Sequence, residues 1–376
     1  MFTPPFCPNP LCAHHRTAAA VGRWYCCNGK YPTKAFGTVQ RFKCLSCNRN
    51  FSQQTFQLDY FVKKPLDYRK IFQHICSGSG IRSTARWLNS SHRAVSNRIG
   101  RLARQGLAVQ AQLTEQLPLR EDLVTDGFES FVVDQYQPNN IHLLVGSWSQ
   151  FLYAFDYAHL RRKGRMTEAQ RRKRLKQEQR YIRQRISISH SFRFIIDEVE
   201  QLVRRKAIAH ITLFSDKKQE YRRMIKGSAV LQHLHRQGCF THVTISSRKA
   251  RTTANPLFAV NYLDRQLRKD NANQVRETVQ FSRSVNNCLE RLAVYQLYHN
   301  YFKPFRVEDR LGRWLRHGQV AGIERQNIDG ALEQIFQRRV FFSHVRLSFS
   351  QLMVWARMVG SLHRRDGQFW PRYVWM

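Results

Sequence analysis

Three short apolar segments follow one another in the middle of the chain, and they limit its possible folds more than any other feature. They are Leu123–Phe131, residues 141–147 and residues 151–156, each rich in β-branched and aromatic side chains. Polar, turn-forming stretches separate them. Segments of this length and composition predict consecutive β-strands.

Two aspartates occur in apolar segments of this kind. Asp126 interrupts the first predicted strand, and Asp216 ends a later segment, residues 207–216. A carboxylate is costly to bury in a strand unless it is paired or binds a metal. A solvated aspartate at a strand end is the ordinary interpretation of one such residue. The repetition of the pattern favours a metal site.

The order of the predicted elements indicates how these two acids could meet. After the three strands come a helix (187–207), a strand (208–214), a helix (221–236), a strand (240–246) and a further helix. This order is that of a ribonuclease H-like α/β fold, a mixed sheet whose first and fourth strands lie side by side. We therefore expect Asp126 and Asp216 to be neighbours.

Phosphoryl transfer with two metal ions generally uses a third acid, from a helix after the last strand. Asp264 lies in a predicted helix, residues 255–268, and is the favoured candidate. Glu277 and Glu290 are the alternatives, although an ordinary ion pair with Arg291 would also explain Glu290.

The charge balance indicates a polyanionic partner. Lys and Arg total 62 against 26 Asp and Glu, a formal net charge of +36, and such a field attracts the phosphate backbone of nucleic acids. No apolar run reaches the ~18 residues of a membrane-spanning helix, and the N-terminus does not resemble a signal peptide. We expect a cytoplasmic, nucleoid-associated protein.

Residues 1–56 contain two cysteine pairs, Cys7/Cys12 and Cys44/Cys47. Paired thiols on either side of a strand-rich stretch are typical of a zinc ribbon, with four thiolates around a structural zinc ion. An odd total of nine cysteines also favours metal ligation over disulfides. The rival ligands are His14, His15, Cys26 and Cys27.

The pattern of residues 57–120 predicts short helices, with Asp67 as the cap of the first, then a basic helix beginning at His92 and a helical linker over residues 106–120. This pattern is typical of a helix-turn-helix, whose second helix enters the major groove of DNA, although an ordinary basic helical bundle would look similar. The predicted DNA-binding residues of this helix are Arg93, Asn97, Arg98 and Arg101.

Residues 161–185 form the most basic stretch of the chain, with Glu168 and Glu178 as its acids. A charge run is usually a solvated face, but its position between a strand and a core helix favours an arm that contacts DNA phosphates. Its predicted contact residues are Arg171, Arg172, Lys173 and Arg174.

Taken in order, these motifs resemble bacterial insertion-sequence transposases with a zinc ribbon, a helix-turn-helix and a DDE/D ribonuclease H-like catalytic domain. The resemblance covers about residues 1–305 and rests on the cysteine pairs, on Asp126 and Asp216 at strand ends, and on the helix containing Asp264. Many relatives have a Glu, an Asn three positions later and then Leu-Arg. When Leu267 and Arg268 are placed on that Leu-Arg, Asn261 falls at the Glu position and Asp264 at the Asn position.

The resemblance implies that Asp126, Asp216 and Asp264 hold two Mg²⁺ ions. It also implies that the protein cuts transposon ends and joins the freed 3′-OH to target DNA. Transposon inverted repeats, target DNA and a homo-oligomer on DNA are the implied partners. The alternatives are an inactive, transposase-derived DNA-binding regulator and a structure-selective DNA nuclease. The expected domains are the ribbon (1–56), the helix-turn-helix and linker (57–120), the catalytic domain (121–305) and a helical C-terminal extension (306–376).

Overall fold

The structure is a computed structural model that describes residues 2–16, 22–180, 187–275, 278–306 and 314–359. A small antiparallel sheet comes first, with β1 (Tyr25–Thr33), β2 (Gly37–Cys44) and β3 (Asn50–Ser52) in that order. Cys44 is the last residue of β2 and Cys47 follows the strand, as the ribbon pattern predicts.

Three helices follow the small sheet. They are α1 (Tyr68–Cys76), α2 (Ile81–Trp87) and α3 (His92–Thr114). Asp67 caps α1 by accepting a hydrogen bond from the Lys70 backbone N–H, which confirms the predicted start of the helix. Helix α3 continues to Thr114 with its middle part buried on all sides, so the first part of the predicted linker is helical, as expected.

The large sheet contains the three predicted consecutive strands, β4 (Leu123–Phe131), β5 (Pro138–Gly146) and β6 (Leu152–His159). The later strands β7 (Ile211–Asp216) and β8 (Phe240–Ile245) complete a mixed sheet in the order β6-β5-β4-β7-β8. Strand β4 pairs antiparallel with β5 and parallel with β7. The predicted adjacency of the first and fourth strands is therefore confirmed.

Helices cover both faces of this sheet. The connections after β6 and β7 contain α4 (Glu168–Arg180), α5 (Ile188–Arg204), α6 (Gln219–Gly227) and α7 (Ala229–Arg236). The single helix predicted over 221–236 is wrong, because Gly227 ends α6 and Ser228 caps α7 by accepting from the Leu231 N–H. After β8 come α8 (Phe258–Asp270) and α9 (Val285–Tyr301).

Helices α5 and α8 pack on opposite faces of the sheet. Phe192 of α5 contacts the ring of His142, whereas Arg268 of α8 lies over the ring of Phe128. Gly127 is the β4 residue paired with His142, and side chains alternate between faces, so His142 and Phe128 point to opposite sides. Asp126, two residues before Phe128, is on the α8 side.

The last described helices are α10 (His317–Val320), α11 (Arg325–Leu332) and α12 (Phe349–Trp355). One buried apolar core contains Leu58, Leu123 and Val359, which come from three of the expected domains. The ribbon has a second core, which includes Phe341. The domain boundaries remain a prediction, and among the described helices none is long and apolar enough to cross a membrane.

Candidate metal and nucleic-acid sites

Asp126 and Asp216 lie side by side on two neighbouring interior strands. Asp216 ends β7, as predicted, whereas the strand-end position predicted for Asp126 is wrong, because β4 continues to Phe131. Thr125 of β4 is paired with Ser215 of β7, and in a parallel ladder the next residues, Asp126 and Asp216, share a face. The Gly127 N–H donates to Asp126 Oδ1 at 2.7 Å, and the Lys218 N–H donates to Asp216 Oδ1 at 3.0 Å. Parallel pairing thus brings together two acids that are distant in sequence.

The ammonium of Lys218 lies between these two carboxylates. Its Nζ is 3.7 Å from Asp126 Oδ1 and 3.5 Å from Asp216 Oδ2. Burial raises the pKa of Asp126, Lys218 opposes that effect and the charge of Asp216 reinforces it. The pair is therefore two coupled acids that share one cation.

Asp264 reaches the same region from α8. Its pKa is raised to about 8, chiefly by burial and also by the charge of Asp126, while Arg268, Arg251 and Lys218 act in the opposite direction. Its Oδ1 atom is buried without a hydrogen-bond partner. A buried carboxylate oxygen that lacks a partner is costly unless it is protonated or binds a cation.

The two alternative third acids differ from Asp264. Glu290 is on α9, where both of its carboxylate oxygens accept from Arg357 Nη1, at 2.7 and 2.6 Å. That carboxylate is buried and engaged in an ion pair, although with Arg357 and not with Arg291. Glu277 lies outside the described residues.

The carboxylate oxygens of the three aspartates are chemically suitable ligands for divalent metal ions. Mg²⁺ prefers carboxylate oxygens, and the unpartnered Oδ1 of Asp264 is one such donor. Their oxygens do not converge at ligand distance, however, because the cysteines form the sole group of three or more potential ligands close enough to hold a metal among the described residues.

The four predicted cysteines converge as one ligand set. The Sγ atoms of Cys7, Cys12, Cys44 and Cys47 all lie within 4.8 Å of one another. Cys7 Sγ is 3.6 Å from Cys47 Sγ, and Cys12 Sγ is 3.8 Å from Cys44 Sγ. Zn–S bonds of about 2.3 Å in a tetrahedron give an S···S separation of roughly 3.8 Å. This set could bind zinc.

The rival zinc ligands are elsewhere. His15 donates from Nδ1 to the Cys7 carbonyl oxygen, and its Nε2 accepts from Ser343 Oγ, both at 2.7 Å. His14 stacks on Trp24. Cys26 and Cys27 belong to β1 and are not members of the converging set. His15 thus connects the ribbon to the C-terminal part of the chain.

The predicted DNA-binding residues of α3 divide into two pairs. Arg93 and Asn97 are exposed. Arg98 and Arg101 are only 6% and 5% exposed. Arg98 donates to the Lys64 carbonyl oxygen, and Arg101 donates to that of Leu58. Both guanidiniums thus bind backbone inside the protein, so they are in position to hold α3 against residues 58–64.

The predicted arm contains α4, and its basic residues are mostly at the surface. Arg171, Arg172 and Lys173 are exposed, whereas Arg174 is half-buried and pairs with Glu178. Gln177 donates to Asp134 Oδ2 at 2.6 Å, and the ammonium of Lys173 lies 5.3 Å from the centre of the Tyr136 ring. The loop between β4 and β5 therefore anchors the helix.

Sequence reasoning missed Lys218, although two lysines follow Asp216 directly. A basic pair after a strand-end acid was a usable signal, but the overall basic composition obscured it. Reasoning also missed Arg357, since its contact with Glu290 joins positions far apart in the chain.

The comparisons with known proteins do not assign a family. No protein-family model matches the chain, and no curated protein matches it. One solved structure with some similarity is a cryo-EM structure of the simian T-cell lymphotropic virus intasome in complex with PP2A regulatory subunit B56 gamma. The match has 11% identity and a TM-score of 0.29, and covers 68% of this chain and 75% of that one. At that TM-score the similarity supports no conclusion about fold or function.

Proposed function

We propose that this protein is a DNA transposase with a ribonuclease H-like catalytic domain, which cuts transposon ends and joins them to target DNA. The observation that carries the proposal is the parallel pairing of β4 with β7, which brings Asp126 beside Asp216. The sheet order and the approach of Asp264 from α8 support it.

In this proposal Asp126, Asp216 and Asp264 bind two Mg²⁺ ions. Bound Mg²⁺ would supply Lewis-acid activation of the attacking oxygen and charge stabilisation at the leaving oxygen. The three carboxylates would fix the position of the reacting phosphate relative to strands β4 and β7. Desolvation of Asp264 supports such a role, because a cation would relieve the cost of its buried charge.

The remaining motifs would bind and orient DNA. The ribbon, with zinc on its four cysteines, and the helix-turn-helix at α1–α3 would recognise the terminal inverted repeats. Arg93 and Asn97 are the exposed candidates on α3. The exposed side chains Arg171, Arg172 and Lys173 of α4 would contact backbone phosphates without sequence preference.

The experiment that tests the proposal is a cleavage and joining assay on oligonucleotides from the DNA that flanks the coding sequence. With Mg²⁺ or Mn²⁺, the wild type should nick the ends and join them to a target duplex. Asp126→Asn, Asp216→Asn and Asp264→Asn should each lower the rate by at least about a thousandfold, because each removes a charged ligand. Asp329→Asn, at an exposed position on α11, is the matched control.

One observation favours a second candidate, an inactive regulator that only binds DNA. The acids do not converge on a metal position, and Lys218 pairs with two of them. The same assay distinguishes the two functions. A protein that binds the ends but never cuts them with either metal is the regulator, and a protein that cuts them is not.

A further inference from the structure

Lys218 has a position that the proposed chemistry leaves unexplained. Its Nζ lies within 4 Å of one oxygen on each of Asp126 and Asp216. These are the carboxylates that would bind the metal, and the ammonium lies between them. A cation of the protein's own therefore neutralises part of the charge that would attract Mg²⁺.

The geometry of Lys218 suits a cation that can leave. Its distances to the carboxylates, 3.5 and 3.7 Å, are those of ion pairs rather than short hydrogen bonds. Its side chain is 28% exposed, so solvent can reach it. The ammonium is also 5.2 Å from the centre of the Tyr221 ring, which offers a second favourable contact.

The backbone of Lys218 is held separately from its side chain. The Lys218 N–H donates to Asp216 Oδ1, and Lys218 is the residue immediately before α6. The start of the helix therefore fixes the Cα atom beside the acids, while the long side chain can change rotamer. Movement of the ammonium does not require the helix to move.

We propose that Lys218 competes with divalent metal ions for the Asp126–Asp216 pair, so that metal binding requires its ammonium to leave. This inference rests on the proposed function, because it assumes that these aspartates are metal ligands. The lysine limits metal occupancy of the site, and its displacement frees a positive charge beside the position of the reacting phosphate.

Metal affinity can be measured without any catalytic assay. Mn²⁺ is titrated into the zinc-loaded full chain, and free Mn²⁺ is followed by electron paramagnetic resonance. Lys218→Met removes the charge but keeps an unbranched side chain, and it should bind Mn²⁺ about tenfold more tightly than the wild type. Lys218→Gln should show the same direction of change and serves as a second neutral variant.

Two controls separate local competition from net charge. Lys217→Met removes one charge at the neighbouring exposed position and should change the affinity by less than about twofold, because exposed charges are well screened. Lys218→Arg keeps a cation and should stay close to the wild type. Equal affinities of the wild type, Lys218→Met and Lys218→Gln would overturn the inference.

Chemical labelling of the unmodified protein gives an independent readout. Reductive methylation followed by mass spectrometry measures how fast each lysine reacts. Mn²⁺ should increase the rate at Lys218 severalfold and leave Lys217 unchanged, because the metal releases the ammonium to solvent. No change at Lys218, at a metal concentration that saturates the site, would overturn the inference.

The titration also distinguishes failure of the inference from failure of the proposed function. If Asp126→Asn and Asp216→Asn abolish Mn²⁺ binding but Lys218→Met binds like the wild type, competition is wrong and the metal site stands. If neither the wild type nor Lys218→Met binds Mn²⁺ through the aspartates, the proposed metal-dependent function fails, and the inference fails with it.

Discussion

Asp126 and Asp216 occupy neighbouring positions on two parallel strands, immediately after the paired residues Thr125 and Ser215. Hydrogen bonding between β4 and β7 fixes this relationship, so it does not depend on the rotamer of any side chain. Two carboxylates held together in this way repel each other unless a cation is present. Lys218 is that cation in the described structure.

The buried acid Asp156 should make stability depend on pH. Burial raises its pKa to about 7, against hydrogen bonds from Ser191, the Tyr157 backbone and Ser350 that lower it. A raised pKa in the folded state means that stability is fully present below about pH 4 and is lost as pH rises through about 7. Relative to Asp156→Asn, the wild type should lose about 2–4 kcal/mol of unfolding free energy between pH 4 and 8.

Urea unfolding at a series of pH values measures this difference. Asp329→Asn is the control, because hydrogen bonding from Arg316 lowers the pKa of that exposed aspartate. The pH dependence of its contribution to stability should therefore be confined to pH values below about 4, so the difference between Asp329→Asn and the wild type should stay constant from pH 4 to 8. A wild-type curve parallel to that of Asp156→Asn from pH 4 to 8 would show that Asp156 ionises normally.

The ion pair between Glu290 and Arg357 should stabilise the folded chain. Its side chains are 3% and 18% exposed, and Arg357 donates to both carboxylate oxygens. Glu290→Gln should lower the unfolding free energy by about 3 kcal/mol, because it leaves the guanidinium without its counter-charge. Thermal unfolding followed by circular dichroism would measure the loss.

A matched control for that ion pair is the exposed pair of Arg346 and Glu115, with side chains 92% and 47% exposed. Arg346→Met should change stability by less than about 1 kcal/mol. Glu290→Gln should also keep Mn²⁺ binding, because Glu290 pairs with Arg357 and is not part of the candidate metal site. Loss of Mn²⁺ binding in folded Glu290→Gln would instead identify Glu290 as the third acid.

The ribbon should depend on a metal ion. Burial raises the pKa of the Cys7 and Cys12 thiols, so without a metal both are protonated at neutral pH. We expect one zinc ion per chain by elemental analysis, and Cys44→Ser should lower that content by at least about tenfold. Residues 2–56 should then become sensitive to limited proteolysis.

Cys27→Ser is the control for the zinc prediction. Cys27 is exposed on β1 and lies outside the converging set, so its removal should leave the zinc content unchanged. Equal zinc content in Cys44→Ser and the wild type would contradict the prediction.

Two arginines of α3 should have different roles. Arg93→Met should weaken binding to duplex DNA by about three- to tenfold and leave thermal stability unchanged, because Arg93 is exposed. Arg101→Met should lower the unfolding free energy by about 2 kcal/mol, since the guanidinium hydrogen bonds to Leu58 and lies 4.1 Å from the Tyr60 ring centre.

Fluorescence anisotropy at several salt concentrations and thermal unfolding would test that pair. The salt dependence of DNA affinity should become shallower for Arg93→Met alone. With one phosphate contact fewer, binding to DNA releases fewer counterions. If Arg93→Met binds DNA like the wild type at every salt concentration, α3 does not contact DNA through this residue.

The sequence predicted the parts of the fold that local patterns determine. The bounds of β4 and the capping of α1 by Asp67 follow from composition within a few residues. The adjacency of β4 and β7 followed from the order of strands and helices, because few topologies suit that order. The convergence of four cysteines followed from their paired spacing.

Long-range packing limited the other predictions. Helix α3 packs along α9 and against other segments as well, so that its polar residues are buried together with its apolar ones. Arg98 and Arg101 were wrongly predicted to face the DNA groove. Their guanidiniums are buried because they donate to the carbonyl groups of Lys64 and Leu58, which belong to another segment of the chain. A pattern of apolar spacing within one helix contains no information about such partners.

The most direct test of the central claim is a metal-specificity measurement on Asp126→Cys. A thiolate is a softer ligand than a carboxylate and favours Mn²⁺ over Mg²⁺. The wild type should cleave the end oligonucleotide with either ion. Asp126→Cys should lose at least about a hundredfold in rate with Mg²⁺ and recover most of it with Mn²⁺, as expected of a direct ligand. Undiminished cleavage by Asp126→Cys with Mg²⁺, or no cleavage by the wild type with either ion, would contradict the proposed active site.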